Sequence, residues 1–454
     1  MTRRHFLELT GATTALAAVG FVPVACDEVG PSPPDIRPLL RLPRVFPADI
    51  GHELVARAST DLAPDGLGYG GAVPGPVLEA RRGGEVHVVL RNELGEPTTL
   101  HSHGAVVPHE MDGHPLDEVA PGGSFVYRYP VRQRAGLLWV HPHPHGRVAR
   151  QVYRGLAGFL VVRDAEEDAL ALPSGERELF LAVRDAAFEA DGRLRYRDDR
   201  GGFWGNVPVV NGVAWPRHEV ATAVYRLRLL NAANARVVRL ALSSGAPLTV
   251  IGNDGGLLPA PASVPSVELG PAERLDVLLD LRDARPGDRV ALRCEREGWD
   301  VLDFEVTERV EDRTVLPTAL PAVGGLTHGG GVDRTFRFQG HLAINGDVYR
   351  MGEVRARVPF GRVERWALRA EGGGVHPVHV HGAHVQVVSR ESVRDDARSR
   401  VFAHERGWKD TVLLLDNESA EVLVRFDGYR GRYLLHCHKL EHEDHGMMLD
   451  FLVE

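Results

Sequence analysis

Cysteine is almost missing from this chain of 454 residues. There are three, an odd number and too few to staple a scaffold with disulfides. Excess positive charge is missing too: 53 Lys and Arg stand against 62 Asp and Glu, a net charge of −9. A mildly acidic chain offers nucleic acid no electrostatic attraction. Long amphipathic helical stretches are absent, and the N-terminal apolar segment is too short and too interrupted to span a bilayer comfortably. Turn formers, by contrast, are plentiful, with 50 Gly and 30 Pro. That balance predicts an all-β protein of many short strands, and the length suggests about three domains.

The N-terminus reads as an address. Arg3 and Arg4 precede Phe6 and Leu7, and a weakly apolar stretch follows from Leu9 to Ala25, broken by Thr10, Thr13 and Thr14. An arginine pair before an apolar region is the order of a twin-arginine export signal, here residues 1–26. The competing reading is a frayed helix with two chance arginines. Cys26 closes the segment. It is either the lipidated first residue of a lipoprotein or a spare thiol near a cleavage site, and Pro23, where a leucine is usual, weakens the first reading. Either way the mature protein is expected outside the cytoplasm, periplasmic or extracellular. It would touch a membrane only through a lipidated Cys26.

Apolar and polar residues alternate in Glu85–Asn92, in Ser124–Tyr129, in Tyr225–Leu230 and in Glu421–Phe426. Period-2 alternation predicts half-buried strands, and turn signals between several of them predict β-sandwiches. A strand runs into an acidic stretch after Val162, and a Pro/Gly-rich passage, residues 309–334, reads as a linker. The expected domains are 38–165, 166–308 and 335–454.

Histidine is abundant, at 22 residues, and its placement is ordered. Four H-x-H pairs occur: His101/His103, His141/His143, His379/His381 and His436/His438. At this frequency about one such pair arises by chance, so a lone pair would mean little. On a strand, residues i and i+2 share a face, so each pair presents two imidazoles side by side. Eight nitrogen donors are too many for one first-row ion, so several ions are implied. Because two pairs lie in each terminal segment, their site is expected between the first and last domains.

The C-terminal run from His436 to Met448, HCHKLEHEDHGMM, carries a second signal. Cys437 lies between two same-face histidines and so turns to the opposite face. His442 and Met447 follow it, and His376 opens HPVHVHG. Two histidines, a thiolate and a weak axial thioether make a blue-copper electron-transfer site. A cysteine flanked by ligands of other ions gives electrons a covalent path between the two sites.

With these motifs in place, the chain resembles the three-domain multicopper oxidases, in the group of spore-coat laccase, bilirubin oxidase and cuprous oxidase. HSHGAVVPHEMDG, WVHPHPHGRVARQVYRGLAGFLVV, YRLRLLNAANAR, IGNDGG, HPVHVHG, GWKDTV and HCHKLEHEDHGMM carry the resemblance over nearly all of the chain after residue 26. It implies three cupredoxin-like Greek-key β-sandwich domains and four copper ions: one type 1, one type 2 and two type 3. It assigns His376, Cys437, His442 and Met447 to the type 1 copper, and His101 and His379 to type 2. His103, His141 and His438 would hold one type 3 copper; His143, His381 and His436 would hold the other. Ser102 stands where many laccases have tryptophan, and points away from the metals. Asp112 and Glu443 match positions that relay protons in the similar oxidases; the alternative is that they only support ligand strands.

The implied activity couples one-electron oxidation of a small-molecule or metal-ion reductant, entering at an exposed edge of His442, to reduction of dioxygen to water. Phenols and aromatic amines lead as substrates. Cuprous or bilirubin oxidation is the alternative, and the five unclustered methionines speak against the cuprous one. Copper-free structural relatives also exist, but here every ligand position is filled. The remaining histidines of the motifs, His109, His114, His384 and His445, are expected to be exposed rather than ligating. His145 should be a supporting or surface residue. Trp139, Trp366 and Cys294 are expected in cores, and a Cys26–Cys294 disulfide has no geometric support.

Overall fold

The alternating segments fold as strands whose inward residues make three separate cores. The computed structural model describes residues 31–454, so Arg3, Arg4 and Cys26 lie outside the described residues. Strand Glu85–Asn92 turns Val86, Val88 and Leu90 inward, and Ser124–Pro130 turns in Tyr127 and Tyr129. Strand Val224–Asn231 departs from the expected half-burial: both of its faces are covered. Its charged positions, Arg226 and Arg228, are buried against Glu167, Glu178 and Asp276. The alternation there marks an internal ion-pair layer, because a guanidinium fully matched by carboxylates can leave water.

Six sheets stack as three double layers, an all-β cupredoxin-like architecture. In the first, a five-stranded sheet ordered Val45–Pro47, Val77–Arg81, Gly158–Arg163, Gly136–His141 and His101–His103 covers a four-stranded sheet that includes Glu85–Asn92 and Ser124–Pro130. The second pairs a seven-stranded with a five-stranded sheet. In the third, a five-stranded sheet ordered Val354–Val358, Met448–Val453, Gly431–Cys437, His376–Val380 and Thr411–Leu414 covers another of five strands. Neighbours in the sheets are often distant in sequence, which requires crossing connections.

The layers also pack on one another. Val77, Leu137, Trp139 and Phe159 of the first meet Phe180, Leu230 and Ala272 of the second in one apolar cluster. The passage 309–334 carries no strand before Arg334. It is pinned to the second layer, where Asp312 accepts from the Val224 N–H at 2.7 Å, and then to the third, where the Leu326 N–H donates to Gln386 at 2.7 Å.

Two strand pairings place the chemistry. His101–His103 is the edge strand of its sheet, with His101 opposite His141. In the third layer His379 lies opposite His436, and Val378 opposite Cys437. The His379/His436 side of that pairing meets the histidines of the first layer. The Cys437 side faces the third layer's own core.

Candidate metal centre

The four H-x-H pairs converge on one buried space. All eight rings are 2% exposed or less. His101 Nε2 lies 3.4 Å from His379 Nε2. His141 Nε2 lies 3.4 Å from His103 Nδ1 and 3.5 Å from His438 Nε2. His436 Nε2 lies 3.0 Å from His381 Nε2 and 3.4 Å from His143 Nε2. Three donor groups result: His101 with His379 (and His103), His103 with His141 and His438, and His143 with His381 and His436. His103 alone turns its Nδ1 inward.

Six of the rings anchor their other nitrogen on protein oxygen. His101 Nδ1 reaches the Asp112 carbonyl at 2.6 Å, His379 Nδ1 the Asp410 carbonyl at 2.9 Å, and His141 Nδ1 the Pro142 carbonyl at 2.9 Å. His381 Nδ1 meets the Asp112 carboxylate at 2.7 Å, His103 Nε2 the Asp410 carboxylate at 3.0 Å, and His436 Nδ1 the Cys437 carbonyl at 3.2 Å. An N–H spent outward leaves the inward nitrogen a bare lone pair. Burial keeps the bases neutral: it lowers His103, His141, His143, His379 and His381 well below the ordinary value, and brings His438 down to about 3. Neutral imidazoles with lone pairs facing one another at 3.0–3.5 Å repel unless a cation sits among them, so this donor set fits metal ions.

The second cluster joins His376, Cys437 and His442. Cys437 Sγ is 3.6 Å from His442 Nδ1, and the buried His376 Nδ1 has no hydrogen-bond partner. Backbone bonds tie Met447 to the group: its N–H donates to the His442 carbonyl at 2.8 Å, and its carbonyl accepts from the Cys437 N–H at 3.1 Å. Its side chain is buried in the third layer's core. Burial pushes the Cys437 thiol up to about 12, whereas a bound cation would draw off that proton. Here too the unpartnered nitrogen beside a soft sulfur fits a metal.

Asp112 and Glu443 are both buried beside the eight histidines. Glu443 lies 3.4 Å from His143 Nδ1 and 3.2 Å from His436 Nδ1. Burial raises its carboxyl, and the ring nitrogens of His143 and His436 beside it act in the opposite direction.

The expectation of an exposed His442 is corrected: the ring is 0% exposed, and its outer Nε2 lies 3.1 Å from His341 Nδ1. The other histidines of the motifs stand outside the donor groups, though less open than expected. His109, His384 and His445 are half-buried. His114 is buried and reaches Asp450 at 3.0 Å, because a polar ring with a carboxylate partner can be enclosed. His145 is half-buried, edge-on to Tyr349. Ser102 turns from the cluster and accepts a hydrogen bond from Tyr129 at 2.7 Å. Trp366 and Cys294 are core residues. Trp139 is buried too, but it also stacks on His141 with ring centroids 4.1 Å apart.

The sequence reading missed Asp410 and Arg274. Arg274 of the middle layer is wholly buried and grips both carboxylate oxygens of Asp410, one at 2.7 Å. Burial would raise the Asp410 carboxyl; the Arg274 guanidinium holds it far below the usual range. Asp410 in turn supports His103 and His379, so a domain without histidine pairs braces the cluster. Arg274→Met strands a buried carboxylate, which is expected to cost about 3–5 kcal/mol. Thermal melts should record that loss. Metal analysis should find the eight-histidine site depleted.

Cupredoxin-like layers that hold an eight-histidine cluster and a His–Cys–His cluster joined through one tripeptide define a redox metalloprotein. Two family models, each described as multicopper oxidase, match residues 56–167 and 316–454. A laccase of Bacillus stratosphericus is 31% identical over 92% of this chain and 97% of its own length. A bilirubin oxidase of Albifimbria verrucaria is 35% identical, covering 85% and 72%. The crystal structure of a multi-copper oxidase from Pediococcus acidilactici superposes with a TM-score of 0.86 at 31% identity, over 93% of each chain. The chain belongs to the multicopper oxidase family: it is a copper-dependent oxidoreductase that oxidises a reducing substrate with dioxygen as acceptor.

Proposed function

We propose that this enzyme is a laccase-type oxidase of phenols and aromatic amines, working with four coppers. His376, Cys437, His442 and Met447 would hold the type 1 ion, and His101 with His379 the type 2. His103, His141 and His438 would hold one type 3 ion, and His143, His381 and His436 the other. The carrying observation is that all eleven histidine and cysteine donors of that scheme lie in two buried clusters. Copper, when bound, supplies the one-electron steps and the reduction of dioxygen to water. The chain supplies the rest. The peptide His436–Cys437–His438 links the two clusters covalently, the buried histidines keep solvent out, and Asp112 and Glu443 stand against ligand nitrogens where protons must arrive.

The methionines favour an organic reductant over Cu(I). Met447 and Met448 are buried in the third layer, Met111 Sδ accepts the Arg128 N–H, and Met351 stands alone on the surface. No soft-ligand cluster is formed by these four. Air oxidation by the copper-loaded enzyme should rank 2,6-dimethoxyphenol well above Cu(I) and bilirubin in kcat/KM; a preference for Cu(I) would overturn the substrate reading.

Two more predictions arise here. Met447→Leu should raise the blue-copper potential on redox titration and leave the site folded, since axial identity tunes that potential; an unchanged or lowered value would remove Met447 as axial ligand. Export by the twin-arginine route predicts that Arg3→Lys with Arg4→Lys leaves precursor in the cytoplasm, and normal export would refute that route. Among the described residues no helix is long and apolar enough to cross a membrane.

A further inference from the structure

The ligand expected to meet the reductant has no free edge. His442 turns Nδ1 toward Cys437 and Nε2 toward His341, whose Nδ1 is 3.1 Å away and whose ring meets it edge-on at 5.1 Å between centroids. A histidine that ligates through Nδ1 carries its hydrogen on Nε2, so that N–H donates to His341. The other members, His376, Cys437 and Met447, are likewise 0% exposed. His341 sits in the turn between strands Arg334–Gln339 and Ala343–Ile344 and is only half-buried. Beside it Lys439 is buried, its ammonium 4.8 Å over the Trp204 ring, and Gly202 passes so close that a Cβ there would strike the Lys439 side chain. A segment of the middle layer thus packs on Lys439, and one histidine of the third covers what would be an open ligand edge.

We propose that His341 is a specificity-determining residue: it occupies the hydrogen-bonding edge of His442, so a reducing substrate docks on His341 instead. This rests on the type 1 assignment and phenol reading given above. A phenol that reacts loses one electron toward the His442 site and its hydroxyl proton to water, with dioxygen as the final oxidant. While His341 is in place, the phenol cannot accept the His442 N–H. Reductants that need only close approach are favoured over those that need that hydrogen bond.

Copper-loaded wild type, His341→Ala and His341→Phe decide the matter. The alanine opens the edge; the phenylalanine covers it without an acceptor. The ratio of kcat/KM for 2,6-dimethoxyphenol to that for ferrocyanide should rise about tenfold in His341→Ala, mainly through KM, and stay near wild type in His341→Phe. Independently of turnover, 4-nitrophenol, a phenol hard to oxidise, should perturb the blue absorption of the alanine variant and not that of the other two proteins. The blue-copper potential should not move. An unchanged or lower ratio, a gain matched by a shift in potential, or equal 4-nitrophenol perturbation in all three proteins would overturn the proposal. If no protein oxidised phenols while ferrocyanide turnover continued, the phenol reading would fall, and the 4-nitrophenol result would still decide the role of His341.

Discussion

Cys437→Ser is expected to remove the blue colour and the oxidase activity together while the folded protein keeps copper at its eight histidines. Serine keeps the size of the side chain, and its buried hydroxyl should cost the third-layer core that holds Cys437 about 1–3 kcal/mol without unfolding it. A hydroxyl is a hard, weakly acidic donor and does not replace a thiolate for copper. The loss is total because the electron's entry and its covalent route to His436 and His438 depend on the same sulfur. Absorption spectra, copper analysis and oxygen uptake on one sample test this. Blue colour that survives the substitution would refute the type 1 assignment.

The second large effect concerns protons. Reducing dioxygen to water consumes them at a site walled by imidazoles that cannot give them up while ligating. Asp112 and Glu443 approach this site with Asp112 on His381 and His101, and Glu443 on His143 and His436. Asp112→Asn and Glu443→Gln keep size and shape but lose the titrating group. Both should bind copper and be reduced by substrate at normal rates, yet reoxidise in dioxygen about 10²-fold more slowly or worse. Stopped-flow reoxidation measures this directly. Wild-type rates at full copper occupancy would leave both residues as supports of the ligand strands and nothing more.

The histidine pairs were legible because their chemistry is local: spacing of two on a strand fixes a shared face before any tertiary contact is known. The placement of Cys437 on the opposite face follows from the same period. What escaped was long-range. Asp410 braces His103 from 307 residues away, and Arg274 grips Asp410 across 136 residues. Asp410 sits in GWKDTV, a stretch that carried the family resemblance without announcing a role, and Arg274 belongs to no motif, although it hydrogen-bonds Asp254 of IGNDGG. His341 is 101 residues from the ring it covers and belongs to no motif. The alternation of Val224–Asn231 misled for a related reason. A period of two tells which residues share a face, whereas the carboxylates that bury Arg226 and Arg228 come from other parts of the chain.

The central claim is that the two clusters act as one machine that gathers single electrons and spends them four at a time on dioxygen. Its most direct test is the stoichiometry of the copper-loaded enzyme: ferrocyanide oxidised per dioxygen consumed, with hydrogen peroxide assayed in parallel. The account predicts a ratio of four and no peroxide. A ratio of two with peroxide accumulating, from fully copper-loaded protein, would contradict it.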